Sequence, residues 1–191
     1  LDEKGNEIAL HAPYDCWRDP LSYVQAMDDF ESATGGIRPV GVRQHYLRFR
    51  VPLTWNAQAG AKLQYDASAG FACCEGFRFG TALPFRAFDE DSKKTLDLWV
   101  IPLTVMDVTL RAYRKYTPQV AGERMRKLAK ETERVGGVFP FLWHNSAIGP
   151  GWENWEETFD TFLQSLAEKR VWAPTCSKLI KIWRQISEPQ I

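Results

Sequence analysis

The three histidines of this chain, His11, His45 and His144, each lie just beyond a short apolar run. His11 follows Ile8 to Leu10, His45 comes soon after Val40 to Val42, and His144 directly follows Val138 to Trp143. In parallel α/β folds the carboxyl ends of the strands form the face where chemistry is done. A lone histidine is ordinarily a satisfied surface or core imidazole. Three at strand ends point towards one mouth and suit metal binding or proton transfer. Two carboxylates, Asp66 and Asp107, also follow strand-like runs and are candidates to hold an imidazole in one tautomer; loop or capping duty is the plainer use for both. Trp143, Trp152 and Trp155 flank or follow His144. Their flat rings suit either stacking on a ligand ring or simple packing, and one of the three is expected at the mouth.

These residues need strands and helices to position them. Apolar runs predict strands at Ile8–Leu10, Val40–Val42, Leu63–Tyr65, Leu96–Val105 and Val138–Trp143. Asp19-Pro20 and Thr117-Pro118 read as an N-cap followed by a first-turn proline, and each opens a helix that a Gly-Gly pair stops, at Gly35-Gly36 and Gly136-Gly137. A short helix starts near Thr54 and closes at Gly60. Another runs from about Glu153 to Lys169, with Trp155, Phe159, Phe162 and Leu166 on one face. Ser177 to Ile186 is amphipathic and reads as a terminal helix. The stretch from Asp66 to Asp91, rich in Gly, Phe and Arg, has no clear period. Alternation of strands and helices implies an α/β fold with a mainly parallel sheet. Five or six strands are few for a closed barrel, so an incomplete or distorted (β/α) barrel is expected. The organisation is one domain over 1–173 and a helical tail over 174–191.

Composition narrows the function class. With 24 basic and 24 acidic residues the formal net charge is zero, against the basic face expected of a nucleic-acid binder. No apolar run approaches the ~18 residues of a membrane span. Cys16, Cys73, Cys74 and Cys176 are too few for a disulfide scaffold, and the adjacent Cys73 and Cys74 are poorly placed to bridge each other. Free thiols fit a reducing compartment, which predicts a cytoplasmic protein.

Five strings stand in order along the chain: Leu10-His11; Arg43-Gln44-His45-Tyr46-Leu47-Arg48; Tyr65-Asp66-Ala67-Ser68-Ala69-Gly70-Phe71; Gly76-Phe77-Arg78-Phe79-Gly80 with Pro84-Phe85; and Leu142-Trp143-His144. Together they resemble the polysaccharide deacetylase family, most of all its bacterial surface-polysaccharide branch. The resemblance runs from about Glu7 to Lys169.

The resemblance implies a distorted (β/α) barrel and metal-dependent removal of acetyl groups from sugars. The expected substrate is an acetylated sugar or polysaccharide in surface-polysaccharide biosynthesis, and the expected cofactor is a divalent metal, zinc first. It further implies that His11 and His45 are metal ligands. Asp15 stands where the family has its second histidine and is the third candidate ligand. Arg43 resembles the arginine that orients a catalytic aspartate, for which a forked, always-charged donor is suited. His144 is the candidate general acid, since its unperturbed pKa of ~6.5 suits proton donation near neutrality, and Asp66 or Asp107 would orient it.

The family's two-aspartate motif, which carries the base and a ligand, is expected upstream of the Leu-His segment, and Asp2 and Glu3 do not form it. The expectation is therefore an incomplete chain that is either aggregation-prone in isolation or has its open amino-terminal edge covered by a partner chain or by its own tail. The rival reading is a non-catalytic sugar-binding or interaction module on the same barrel, and a weaker one is a metal-dependent amidohydrolase of a non-sugar amide.

Overall fold

A computed structural model describes residues 5–187. Residues 1–4 and the last four of the tail, 188–191, lie outside the described residues. The described residues fall into two compact units. The first draws on residues 5–69, Pro84–Ile101 and 174–187, and the second on Gly70–Leu83 and Pro102–Ala173.

The first unit opens with β1 (Leu10–Ala12), α1 (Pro20–Ala33), β2 (Gly41–Gln44), α2 (Leu53–Gly60) and β3 (Tyr65–Asp66). It continues with β4 (Phe85–Asp89) and β5 (Lys94–Val100). Its sheet has the order β1-β2-β3-β5-β4, with β4 antiparallel and the other pairings parallel. The helix signals act as read. The Asp19 carboxylate accepts from the backbone N–H groups of Leu21 and Ser22, Pro20 sits in the first turn, and Gly35 adopts φ 72° after the last turn. Tyr23 and Met27 of α1, Trp55 of α2 and Val42, Leu98 and Val100 of the sheet form one buried cluster.

The second unit holds β6 (Val105–Met106), α3 (Pro118–Arg134), β7 (Phe141–Leu142) and α4 (Trp155–Glu168). β6 and β7 pair in parallel through the α3 crossover. Thr117 Oγ1 accepts from Val120 N–H to cap α3, and Gly136 at φ 62° ends it. Leu110, Ala121, Met125, Trp155 and Phe162 form this unit's core.

Three expectations shift. The single strand read over Leu96–Val105 is two: β5 ends at Val100, and Val105 begins β6 in the other sheet. Pro102 lies between them and has no N–H for a ladder. The unpatterned stretch conceals β4, whose pairing with β5 slips between Arg86 and Phe88; such a bulge erases the two-residue alternation that marks a strand. The Ile8–Leu10 strand is Leu10–Ala12, so His11 lies within β1 rather than beyond it. The architecture is mixed α/β, and the described strands form a five-stranded and a two-stranded sheet. Among the described residues no helix is long and apolar enough to cross a membrane.

The tail forms α5 (Cys176–Ser187) and packs on β3 of the first unit. Glu7 holds its start: the Ser177 N–H donates to Glu7 Oε2 at 2.9 Å, and the Ser177 hydroxyl and Tyr65 OH donate to Oε1. Leu179 and Ile180 are buried. Full burial of two such side chains contributes roughly 3–6 kcal/mol. Truncation after Pro174 is therefore expected to lower the unfolding free energy by about that amount in urea denaturation; an unchanged midpoint would show that the helix adds nothing to the sheet.

In the second unit the buried Glu75 carboxylate takes Arg124 Nε–H at 2.6 Å and lies 3.2 Å from Arg114 Nε. Burial alone would raise its pKa. Hydrogen bonding from its own backbone and from Arg124, with the Arg114 charge, instead holds it below the ordinary glutamate value. The stabilisation is thus present above that ordinary value and lost as pH falls through the lower folded-state value. Glu75→Gln is expected to cost about 1.5–3 kcal/mol at neutral pH and much less near pH ~2, as read from denaturation curves at the two pH values.

Candidate functional site

In the first unit the chemistry gathers where β1 and β2 run side by side. Parallel register sets Leu10 against Val42 and His11 against Arg43. Leu10 and Ala12 point into the core, so the two-residue alternation turns His11 outward. His11 Nδ1 lies 3.2 Å from the Arg43 carbonyl oxygen. A carbonyl only accepts, so Nδ1–H is the donor in this contact. His45 starts the turn after β2, and its ring meets His11 at 5.0 Å between centroids, inclined by 73°.

Arg43 itself is largely buried. Its Nε–H donates to the Ala67 carbonyl at 3.0 Å. Burial presses the guanidinium's pKa below its ordinary value, against the pull of Cys176 and Asp66. Asp66, at the end of β3, is fully buried. Its carboxyl accepts from Ser68 N–H at 3.0 Å, from the Ser68 hydroxyl, and from Trp55 Nε1–H at 3.3 Å. Burial raises its pKa, opposed by the Ser68 and Trp55 hydrogen bonds and by Arg43. Asp15 is exposed and ion-paired with Arg48 at 3.2 Å.

The turn after β2 is sharp. Tyr46 (φ 58°, ψ 20°) and Leu47 (φ 50°) are both left-handed, which costs a non-glycine residue ~1–2 kcal/mol. Arg48 N–H closes the turn onto the His45 carbonyl, and Gln44 Nε2–H donates to the Arg48 carbonyl at 3.3 Å. Gln44 is in turn fixed by Tyr23 OH at 2.7 Å and by its own N–H on Ser68 Oγ at 2.8 Å. Leu47 is buried and Tyr46 is exposed.

In the second unit Asp107 follows β6 and His144 follows β7, and the parallel pairing of those strands brings them together. His144 Nδ1–H donates to Asp107 Oδ1 at 2.7 Å, and the His144 backbone N–H donates to Oδ2 at 2.8 Å. Both carboxylate oxygens hold the same residue, and the carboxylate is fully buried while the imidazole is 42% exposed. Such a pair can fix one tautomer, stabilise an imidazolium and deliver a proton from Nε2.

No family model and no curated protein matches the sequence. A search of solved structures does find a match, to a crystal structure from Mycobacterium smegmatis described as a "putative polysaccharide deacetylase", with a TM-score of 0.72 and 17% identity over 100% of this chain and 69% of that one. The chain has a polysaccharide-deacetylase-like fold.

Within that fold His11, His45 and Arg43 come together in one unit, and Asp107 is the carboxylate that holds His144 in the other. Among the described residues no group of three or more histidine, cysteine, aspartate or glutamate side chains is arranged to hold a metal ion. The tryptophans serve mainly as packing: Trp155 is buried, and Trp143 and Trp152 lie against the same core. Sequence reasoning missed Gln44, Tyr14 and Tyr46. A buried glutamine beside the His45 segment leaves no pattern in sequence, and a left-handed tyrosine leaves none either.

Proposed function

We propose that the protein is a metal-dependent carbohydrate N-deacetylase of surface-polysaccharide assembly. The observation that carries this reading is the Asp107–His144 pair at the carboxyl ends of two parallel strands. His144, as imidazolium, donates its Nε2 proton to the leaving amine nitrogen as the amide C–N bond breaks. Its Nδ1–H stays on Asp107, which compensates the ring's charge before that transfer and keeps the ring aimed. The four cysteines are unbridged, which supports a reducing compartment and hence a cytoplasmic site of action.

A divalent cation, zinc first, fits the first unit in part. The Arg43 carbonyl on His11 Nδ1 is the kind of outer partner that orients a ligating imidazole, and His45 is close enough to join it. Asp15, engaged with Arg48, is a weaker third candidate. When bound, a divalent cation polarises an acetyl carbonyl and lowers the pKa of water. Arg43 and Asp66 are assigned to positioning: the buried carboxyl offsets the buried guanidinium, which stands beside His11 in register.

Two imidazoles leave a coordination shell open, so Zn²⁺ alone is expected to bind weakly by calorimetry, and either His11→Ala or His45→Ala to abolish the heat. Zinc binding unaffected by both substitutions would remove the pair from the site. The activity test is acetate release from an N-acetylated oligosaccharide by the complete gene product with Zn²⁺. His144→Ala and Asp107→Asn are each expected to slow release by about 10²–10⁴-fold. Sugar binding with no acetate release from the unsubstituted protein would leave the non-catalytic sugar-binding module.

A further inference from the structure

We infer that Tyr14 and Tyr46 form a stacking subsite for one pyranose ring beside the His11–His45 pair; the inference rests on the carbohydrate reading and names the residues that would hold the sugar. Four rings are continuous here. His45 lies 4.5 Å from Tyr46 and 6.5 Å from Tyr14, Tyr14 and Tyr46 meet at 6.1 Å and 88°, and His11 adjoins His45. Tyr46 is 73% exposed and Tyr14 is 49% exposed. Large aromatic rings ordinarily bury their area, so two adjacent exposed ones beside imidazoles need a reason.

The backbone supplies an independent argument. Tyr46 is held in the left-handed region between a buried Gln44 and a buried Leu47. An unstrained turn would want glycine there, yet the position carries a bulky ring turned to solvent. Strain that surrounding contacts over-determine marks positions kept for what they present. Tyr14 is also fixed in advance. The Arg48 guanidinium covers one face at 4.1 Å and bonds to the Tyr14 carbonyl, while Asp15 takes the same guanidinium. Asp15 therefore compensates the cation at the patch edge, which suits a neutral ligand over a polyanion.

A pyranose matches this surface. Its ring face offers C–H groups to an aromatic plane, and its rim hydroxyls can exchange hydrogen bonds with the two phenols. Prior fixing of both rings limits the ordering entropy lost on binding.

The test is calorimetric titration with N-acetylated chitotetraose and, in parallel, with cellotetraose, which has no acetamide. Tyr46→Ala and Tyr14→Ala are expected to weaken binding of the acetylated sugar about three- to tenfold, while Tyr46→Phe and Tyr46→Trp retain most of it. The thermal midpoint of Tyr46→Ala should stay close to the parent's, since the ring is exposed and alanine keeps the same left-handed backbone and its strain; this separates loss of binding from loss of fold. Equal affinity of Tyr46→Ala and the parent, or failure of the parent to bind either sugar, would overturn the subsite. Acetate release reports separately on the deacetylase reading. Absent release with a stacking-dependent affinity would sink that reading and keep the subsite, and normal release by Tyr46→Ala at unchanged affinity would do the reverse.

Discussion

Side chains on a strand alternate between faces, so a slip of one residue in strand pairing turns an entire edge strand inside out. The first unit depends on that slip not occurring between β1 and β2. Leu10 and Ala12 are seated in the core, and only with Leu10 opposite Val42 does His11 stand outward beside Arg43. Gly41 helps to hold the neighbouring register. It pairs with Tyr65, and the Tyr65 ring lies where any β-carbon on Gly41 would stand, at 1.8 Å from Cζ. The phenol then reaches Glu7 and through it the start of α5. A missing side chain on β2 thus lets one tyrosine link the sheet to the tail.

Three buried carboxylates show how environment assigns different work to one functional group. Asp66 is surrounded by neutral donors and burial dominates, so its pKa rises and its task is to brace Ser68, Trp55 and the nearby arginine. Glu75 has two guanidinium groups against it, so its pKa falls and it ties a loop to α3. Asp107 holds one histidine, whose ring reaches solvent, with both oxygens, and Oδ1 also accepts from the Val108 N–H. That last arrangement alone combines a fixed tautomer with an accessible nitrogen, which is what proton donation requires.

The turn after β2 reverses the usual relation between packing and exposure. Tyr23 on α1 and Ser68 after β3 clamp Gln44, Gln44 clamps the Arg48 carbonyl, and two of the three residues between, Tyr46 and Leu47, are pushed left-handed. Leu47 then repays part of that strain by entering the core, while Tyr46 is left outside with His45 and Tyr14. The strain is local, but its supports come from three separate elements.

The sequence by itself determined what short-range physics can determine. Asp19-Pro20, Thr117-Pro118 and the paired glycines marked α1 and α3 because capping and chain reversal act within a few residues. Apolar runs located the parallel strands to within two or three residues, and the order of five short strings pointed to the deacetylase-like fold that the structural match shares. What the sequence could not decide was every question set by a partner distant in the chain. The bulge hid β4, the split of the Leu96–Val105 run depended on which sheet each half joined, and the choice of Asp107 over Asp66 for His144 followed from the pairing of β6 with β7. Burial and hydrogen-bond partners are properties of that assembled pairing. Only the tertiary structure could therefore separate the carboxylate that braces from the one that orients an acid, and the tyrosine that packs from the one that is presented.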